Sequence, residues 1–253
     1  SYNKFLESGQ SQSNMMIAQY RTAQIYHEQG QWEKYLSVTG SILENKPKDK
    51  LFNQLKFIVG DSFYRLDKWE ASIVLLKEFI DSNSSDEGIN KVANMDTALM
   101  QLSVAHERLG DIEKSMSNLA LLVAKYEDAT RHLPLALAEQ GRIAYESGDL
   151  KTSRSALERF IEEDQEENKV FQARSPSQRP RVMYYLGWVD ATEGKHESAS
   201  SNFGNVIEID PKHPLASDSS LQKGVALLNL EKFKESSQHL ISVQKNYPEH
   251  PKL

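Results

Sequence analysis

Apolar residues return along the chain in short groups spaced i, i+3 and i+4, the stripe of a helix that buries one face. The groups are Leu76, Phe79 and Ile80; Leu119, Leu122 and Val123; Leu157, Phe160 and Ile161; Phe203, Val206 and Ile207; and Leu240 with Val243. Charged residues stand between the stripe positions in two of the groups, as Lys77 and Glu78 and as Glu158 and Arg159. The pattern therefore predicts a series of amphipathic helices, each with one face buried.

A fixed spacing of small and turn residues precedes these groups. Small residues open six units, at Ala23, Gly60, Ser103, Gly141, Gly187 and Gly224. Turn residues follow at Gly30, Asp67, Gly110, Gly148, Gly194 and Glu231. Second small residues come next, at Ser72, Ser115, Ser153, Ala199 and Ser236, with Tyr35 as the exception in the first unit. Because antiparallel helices cross closely only where both lack bulk, the spacing predicts one crossing per unit. Glycine is the favoured residue at the end of the first helix because it adopts the left-handed conformation without a steric penalty. Asp67 and Glu231 occupy that position with a less favourable conformation.

These spacings resemble the tetratricopeptide repeat family, whose pattern runs Leu-Gly-x-x-Tyr, Ala-x-x-x-Phe, then Pro. The best copy holds Leu186-Gly187, Gly194, Ala199, Phe203 and Pro211 in register, and Pro47 and Pro248 close the first and last units. The resemblance covers about residues 14–250 and implies an all-α, right-handed α-solenoid of about six helix-turn-helix repeats. The expected repeats are 16–49, 53–86, 96–129, 134–167, 180–213 and 217–250, within a solenoid of residues 14–253. Residues 1–13 are expected to form an N-terminal extension or a partial helix.

Intervals of 37, 43, 38, 46 and 37 residues separate the opening positions, all longer than the family's unit of about 34 residues. The two longest intervals place insertions near residues 81–94 and 162–181. The second insertion begins acidic and ends basic, with Pro176 and Pro180. We interpret it as a solvated connection or, alternatively, as a docking element or hinge.

Composition narrows the classes of function. The chain has 253 residues, a formal net charge of -6 and 26% charged residues, which disfavours a general nucleic-acid binder. No apolar run approaches the roughly 18 residues needed to span a bilayer. The absence of cysteine excludes disulfides, thiolate catalysis and cysteine-based zinc sites.

Motifs for catalysis or for cofactor binding are absent from the sequence. It contains no phosphate-binding glycine loop, no nucleophile elbow and no His-Glu-x-x-His pair. The histidines are scattered, and the acidic cluster at residues 162–167 lacks the spacing of a calcium loop. We therefore expect no catalytic residue, no metal site and no cofactor, and we predict that the chain is not an enzyme.

The resemblance implies that a partner binds the concave wall, which the first helix of each repeat forms in this family. The positions expected to face that groove are Tyr20, Gln24, His27, Phe57, Asp61, Tyr64, Arg65, Met100, Val104, Arg108, Arg142, Tyr145, Tyr184 and Trp188. Aromatic rings with interleaved arginines are the residue types enriched at protein interfaces. Alternatively Phe57, Met100, Val104 and Leu221 pack between neighbouring repeats. Trp32 and Trp69 are interpreted as wedges between helices.

The sequence as a whole predicts a non-enzymatic scaffold or adaptor that binds a protein or peptide segment in its groove. The alternatives are a peptide-responsive regulator and an accessory repeat domain of a larger enzyme. The sequence also leaves open self-association through the solenoid ends. Replacing Tyr64, Arg65, Arg142 and Trp188 with alanine is expected to abolish partner capture without changing the melting of the fold.

Three short sequence segments bear on the cellular location of the protein. Residues 77–80, 158–161 and 245–251 resemble the longer repeats of bacterial envelope proteins, including the outer-membrane assembly lipoprotein and the Tol-Pal-associated cell-division coordinator. Similar segments also occur in the repeats of cytosolic proteins. The resemblance favours a periplasmic or cell-envelope location over a cytoplasmic one.

Overall fold

A computed structural model of the chain describes residues 12–44, 50–83, 93–125, 131–165 and 168–248. All regular structure in these ranges is helical. The helices of the first half are α1 (Gln12–Glu28), α2 (Trp32–Glu44), α3 (Lys50–Arg65), α4 (Trp69–Asn83), α5 (Met95–Arg108) and α6 (Ile112–Lys125). Those of the second half are α7 (Leu133–Glu146), α8 (Leu150–Glu163), α9 (Lys169–Gln172), α10 (Arg179–Thr192), α11 (His196–Ile209), α12 (Ala216–Asn229) and α13 (Phe233–Asn246).

The chain divides into two compact units, residues 1–126 and residues 127–253. In unit 1 the helices pack as the pairs α1–α2, α3–α4 and α5–α6, and in unit 2 as α7–α8, α10–α11 and α12–α13. Within each unit the second helix of one pair also packs against the first helix of the next. This confirms the all-α helical repeat fold. The segment 1–13 and the insertion 81–94 fall mostly outside the described residues.

A bulky side chain covers the opening glycine of four pairs. A Cβ atom added to Gly141 would lie 2.3 Å from Leu157 Cδ2, and one added to Gly187 would lie 2.7 Å from the Phe203 ring. Gly60 and Gly224 face Leu76 and Leu240 in the same way. The opening residue is therefore small because a residue of the apolar stripe, 16 positions later, occupies the space that its side chain would need.

The second small position contributes a hydrogen bond as well as space. Ser153 Oγ donates to the carbonyl oxygen of Gly141 at 2.8 Å, and Ser236 Oγ donates to that of Gly224 at 2.8 Å. Ser72 Oγ donates to Gly60 at 2.9 Å in the same way. These hydroxyls are fully or almost fully buried, so each bond ties the two helices of a pair together at their crossing.

The turn between the two helices of a pair requires a left-handed residue. At Gly148 φ is +81°, and the next residue, Asp149, donates its backbone N–H to the carbonyl of Ala144 at 2.8 Å. This is the Schellman arrangement that ends a helix. Asp67 and Glu231 hold the same place with φ of +56° and +58°, which confirms that they sit in an unfavourable conformation.

We expect Glu231→Gly to raise the free energy of unfolding by about 1 kcal/mol, because glycine adopts positive φ without the steric penalty of a Cβ. Urea denaturation followed by circular dichroism measures the change. The control is Glu235→Gly, in the exposed first turns of α13, where glycine is expected to destabilise the helix by about 1 kcal/mol. A loss of stability in Glu231→Gly would contradict the assignment of strain.

The second insertion is packed rather than extended into solvent. Phe171 of the short helix α9 is buried, and its ring lies 5.1 Å from that of Phe160 in α8. Asp164, at the end of α8, pairs with Arg179 at the start of α10 and accepts a hydrogen bond from buried Ser175 at 2.5 Å. These contacts fix the connection against both neighbouring helices.

Candidate functional site

The first helices of unit 1 meet around one buried carboxylate, that of Asp61 in α3. Asp61 is 4% exposed. Its Oδ2 atom accepts a bond from Arg65 Nε at 2.8 Å and lies 3.5 Å from His27 Nε2 of α1. Its Oδ1 atom accepts a hydrogen bond from Gln101 Nε2 of α5 at 2.5 Å. The predicted groove residues His27, Asp61 and Arg65 are thus brought together.

Aromatic rings lie beside this charged group. The Arg65 guanidinium lies 4.9 Å from the centroid of the Trp32 ring, a cation–π contact, and the His27 ring lies 5.1 Å from Trp32. Tyr64 meets Trp69 edge to face at 5.5 Å. Both tryptophans therefore contact predicted groove residues as well as joining the helices of a pair.

A cleft of about 610 Å³ opens between α3 and α5. Its lining consists of Tyr64, Arg65, Asp67, Trp69, Val104 and Arg108. Arg108 is exposed and forms no ion pair with any residue in the described ranges. Burial raises the pKa of Tyr64 above its ordinary value, although the positive charge of Arg108 opposes the shift. The cleft offers a guanidinium, a neutral phenol and an indole to a ligand.

The other predicted residues of unit 1 divide between the groove and the core. Gln24 is exposed at the edge of a cavity of about 120 Å³. Phe57 and Met100 are 9% and 6% exposed, and the Phe57 ring lies 5.4 Å from Phe79, so the packing alternative describes these two. Tyr20 lies in α1, and its side chain is outside the described ones.

In unit 2, Arg142 is engaged by carboxylates of its own helix. Its Nε lies 2.7 Å from Glu139 and its Nη1 lies 2.7 Å from Glu146. Glu139 also pairs with Arg181 of α10. The charge of Arg142 is therefore neutralised within α7, and Glu139 links α7 to α10 through Arg181.

The remaining predicted residues of unit 2 form an aromatic cluster. The Tyr145 ring lies 6.4 Å from the ring of Trp188, which in turn lies 5.7 Å from Phe203. Tyr184 donates its hydroxyl hydrogen to Asp218 at 2.8 Å, and burial together with this contact raises the pKa of Tyr184 to about 12. Tyr185 donates to Glu146 at 2.8 Å, and burial raises the pKa of its hydroxyl too. The polar ends of this cluster are thus already partnered.

Sequence reasoning missed the partners that hold these residues in place. Gln101 and Tyr185 each follow a predicted groove residue, Met100 and Tyr184 respectively. Asp218 lies in the last repeat, where no groove residue was predicted. Their signal is a polar residue on the buried side of a first helix. Gln101 is 7% exposed, and its Oε1 atom accepts no hydrogen bond from the described residues.

Sites for a metal ion or a membrane span are not found in the part of the chain that the structure describes. There, no three histidine, aspartate or glutamate side chains converge as metal ligands. Among the same residues, no helix is both long and apolar enough to cross a bilayer.

No protein-family model and no curated protein matches the chain. Solved structures do match. The C-terminal part of a TPR repeat-containing protein from Cytophaga hutchinsonii superposes with a TM-score of 0.63 at 15% identity, covering 89% of this chain and 79% of that one. A tetratricopeptide repeat protein from Parabacteroides merdae gives 0.62 at 12% identity, covering 90% and 78%. A crystal structure of MamA gives 0.61 at 15% identity, covering 79% and 94%. The chain therefore has the fold of tetratricopeptide repeat proteins.

Proposed function

We propose that the chain is a non-enzymatic adaptor that binds a segment of a partner protein on the wall formed by α3 and α5. The observation that carries the proposal is the guanidinium of Arg108, which forms no ion pair with a described residue, beside the rings of Tyr64 and Trp69 in one cleft. Rings of this kind bury apolar area with little loss of side-chain entropy. Arginine binds carboxylates through two parallel hydrogen bonds. The fold supports the proposal because α3 and α5 of unit 1 contact each other and so share one surface.

The cleft favours a partner segment with a carboxylate next to an apolar side chain. The carboxylate pairs with Arg108, whereas Arg65 is already bound to Asp61. The apolar side chain packs against Tyr64 and Trp69. Unit 2 is a weaker candidate because Arg142, Tyr184 and Tyr185 are satisfied within the chain.

These contacts change the expectation for the variant with alanine at Tyr64, Arg65, Arg142 and Trp188. Loss of Arg65 removes a partner of buried Asp61, and loss of Trp188 opens a space beside Phe203. We now expect that variant to lose stability, so that loss of binding by it would not identify the groove.

Arg108→Glu tests the site without disturbing a described ion pair. Used as bait in a pull-down from the native source, the variant is expected to capture the partner about tenfold less than the unaltered chain, because a like charge replaces the counter-charge. Quantitative mass spectrometry of the eluates measures the difference. Added salt is expected to weaken capture by the unaltered chain.

The matched control is Lys125→Glu, which makes the same change of charge at an exposed position in the last turn of α6. We expect it to capture as much partner as the unaltered chain. Equal capture by Arg108→Glu, with unchanged circular dichroism, would place the binding surface elsewhere on the molecule.

A further inference from the structure

Each unit contains a cleft between two successive second helices, built from the same positions of the repeat. In unit 2 the cleft lies between α8 and α11, with α10 beneath it, and measures about 650 Å³. In unit 1 it lies between α4 and α6, with α5 beneath it, and measures about 390 Å³. We call these the second-helix clefts. Counted from the opening small residues, Arg154, Asp190 and Asn202 of unit 2 correspond to Ile73, His106 and Asn118 of unit 1.

An ion pair crosses the second-helix cleft of unit 2. Arg154 Nη2 of α8 lies 2.6 Å from Asp190 Oδ1 and 2.8 Å from Glu193 Oε2, both on the α10 side. Asn202 Nδ2 of α11 donates to the other oxygen of Asp190 at 2.9 Å. Charged and amide groups of all three helices are therefore joined across this cleft.

The second-helix cleft of unit 1 lacks this bridge. Ile73 and His106 stand in place of Arg154 and Asp190, and Asn118 instead donates to the carbonyl of Lys114 at 2.7 Å. The walls are largely apolar, formed by Ile73 with Leu99, Leu102 and Leu121. Leu121 is 36% exposed at the mouth. The volume lies within the range of small-molecule sites, about 300–1,000 Å³.

The charges at the rim of this cleft determine which ligand head group it favours. Lys77 forms no ion pair with a described residue, whereas Lys114 pairs with Asp111 at 2.5 Å. His106 Nδ1 lies 3.8 Å from Asp111, and burial lowers the pKa of the His106 imidazole and so favours its neutral form. Asp81 lines the cleft one turn beyond Lys77. Among the described residues, the ammonium group of Lys77 is therefore the positive charge of this lining that no ion pair neutralises.

We propose that the second-helix cleft of unit 1 binds a small amphiphile with an aliphatic body and a carboxylate head. The aliphatic body lies against Ile73, Leu99, Leu102 and Leu121, and the carboxylate meets Lys77. This site shares no lining residue with the cleft between α3 and α5, so it does not depend on the proposed adaptor function.

Three probes with the same eight-carbon body and different heads test the proposal: octanoate, 1-octanol and octylammonium. Titration of the full chain, with labelled isoleucine and leucine methyl groups observed by nuclear magnetic resonance, reports where each probe binds. We expect octanoate to shift the methyl signals of Ile73 and Leu121 and to bind about tenfold more tightly than octylammonium. Equal binding of all three heads would overturn the role of Lys77.

Two variants test separately how the apolar walls and the head-group contact contribute to binding. Lys77→Glu changes one exposed side chain and is expected to weaken octanoate about tenfold while leaving 1-octanol unchanged. Ile73→Arg/Lys77→Glu/His106→Asp copies Arg154, Glu158 and Asp190 of unit 2, since Lys77 and Glu158 hold the same position of the repeat. Asn118 already stands where Asn202 does, and the triple variant is expected to abolish binding of both probes. Lys125→Glu serves as the charge control and is expected to bind as the unaltered chain does.

The triple variant is compared with the unaltered chain by circular dichroism before titration. If it does not fold, Lys77→Glu still decides the role of the head group. Methyl shifts confined to another surface, or octanoate binding unaffected by Lys77→Glu, would overturn the proposal.

Discussion

Arg154→Ala is expected to destabilise unit 2 by about 3–5 kcal/mol, because it leaves a buried carboxylate without its counter-charge. Asp190 is 3% exposed, and Arg154 bonds it at 2.6 Å while also reaching Glu193 and Glu158. After the change only Asn202 still donates to Asp190 in the described structure. Urea denaturation of the full chain, followed by circular dichroism, measures the loss.

Two variants show whether burial of the carboxylate is the cause. Arg159→Ala removes an arginine of the same helix that lies 3.8 Å from Glu163, with 30% of its side chain exposed, and is expected to cost less than about 1 kcal/mol. Arg154→Ile/Asp190→His copies the residues of the unit 1 cleft and is expected to recover much of the stability. A loss below about 1 kcal/mol in Arg154→Ala would show that water reaches Asp190.

Gly141→Ala is expected to destabilise unit 2 by about 1–3 kcal/mol, although alanine is the better helix former. The added Cβ would lie 2.3 Å from Leu157 Cδ2 and 2.4 Å from Leu157 Cγ, and Leu157 is fully buried. Either the leucine leaves its position or the helices α7 and α8 separate. The same denaturation measurement detects the change.

Gly204→Ala is the matched control, since Gly204 is also a buried helical glycine of unit 2. Its added Cβ would lie 3.0 Å from Lys223 Nζ, the end of a flexible side chain that can move away. We expect no loss of stability there. The double variant Gly141→Ala/Leu157→Ala is expected to be less destabilised than the sum of its single changes. Additive losses would contradict the contact.

The fold was predictable because its determinants are local in the sequence. The helix crossing at Gly141 and Ser153 and the left-handed turn at Gly148 lie within a dozen residues of one another. Their spacing therefore records the geometry directly. Asp67 and Glu231 were recognised as unfavourable turn residues for the same reason, and both have positive φ.

The candidate site was less predictable because its contacts join different repeats. Asp61 meets His27 and Gln101 from two other repeats, and Glu139, which pairs with Arg142, also pairs with Arg181 of the next repeat. The spacing of a repeat says which side a residue faces, but not whether a neighbouring side chain already neutralises its charge. The groove residues and the envelope location stay predictions.

The position of Asp61 also affects how unit 1 unfolds. In an array whose repeats touch only their neighbours, the ends can open one repeat at a time. Here one buried carboxylate takes contacts from α1 on one side and from α5 on the other. Opening either end repeat removes one of those contacts, so that Asp61 keeps Arg65 of its own helix but loses a partner from the next repeat. Asp61 therefore links the three repeats of unit 1, and we expect it to oppose the opening of either end repeat.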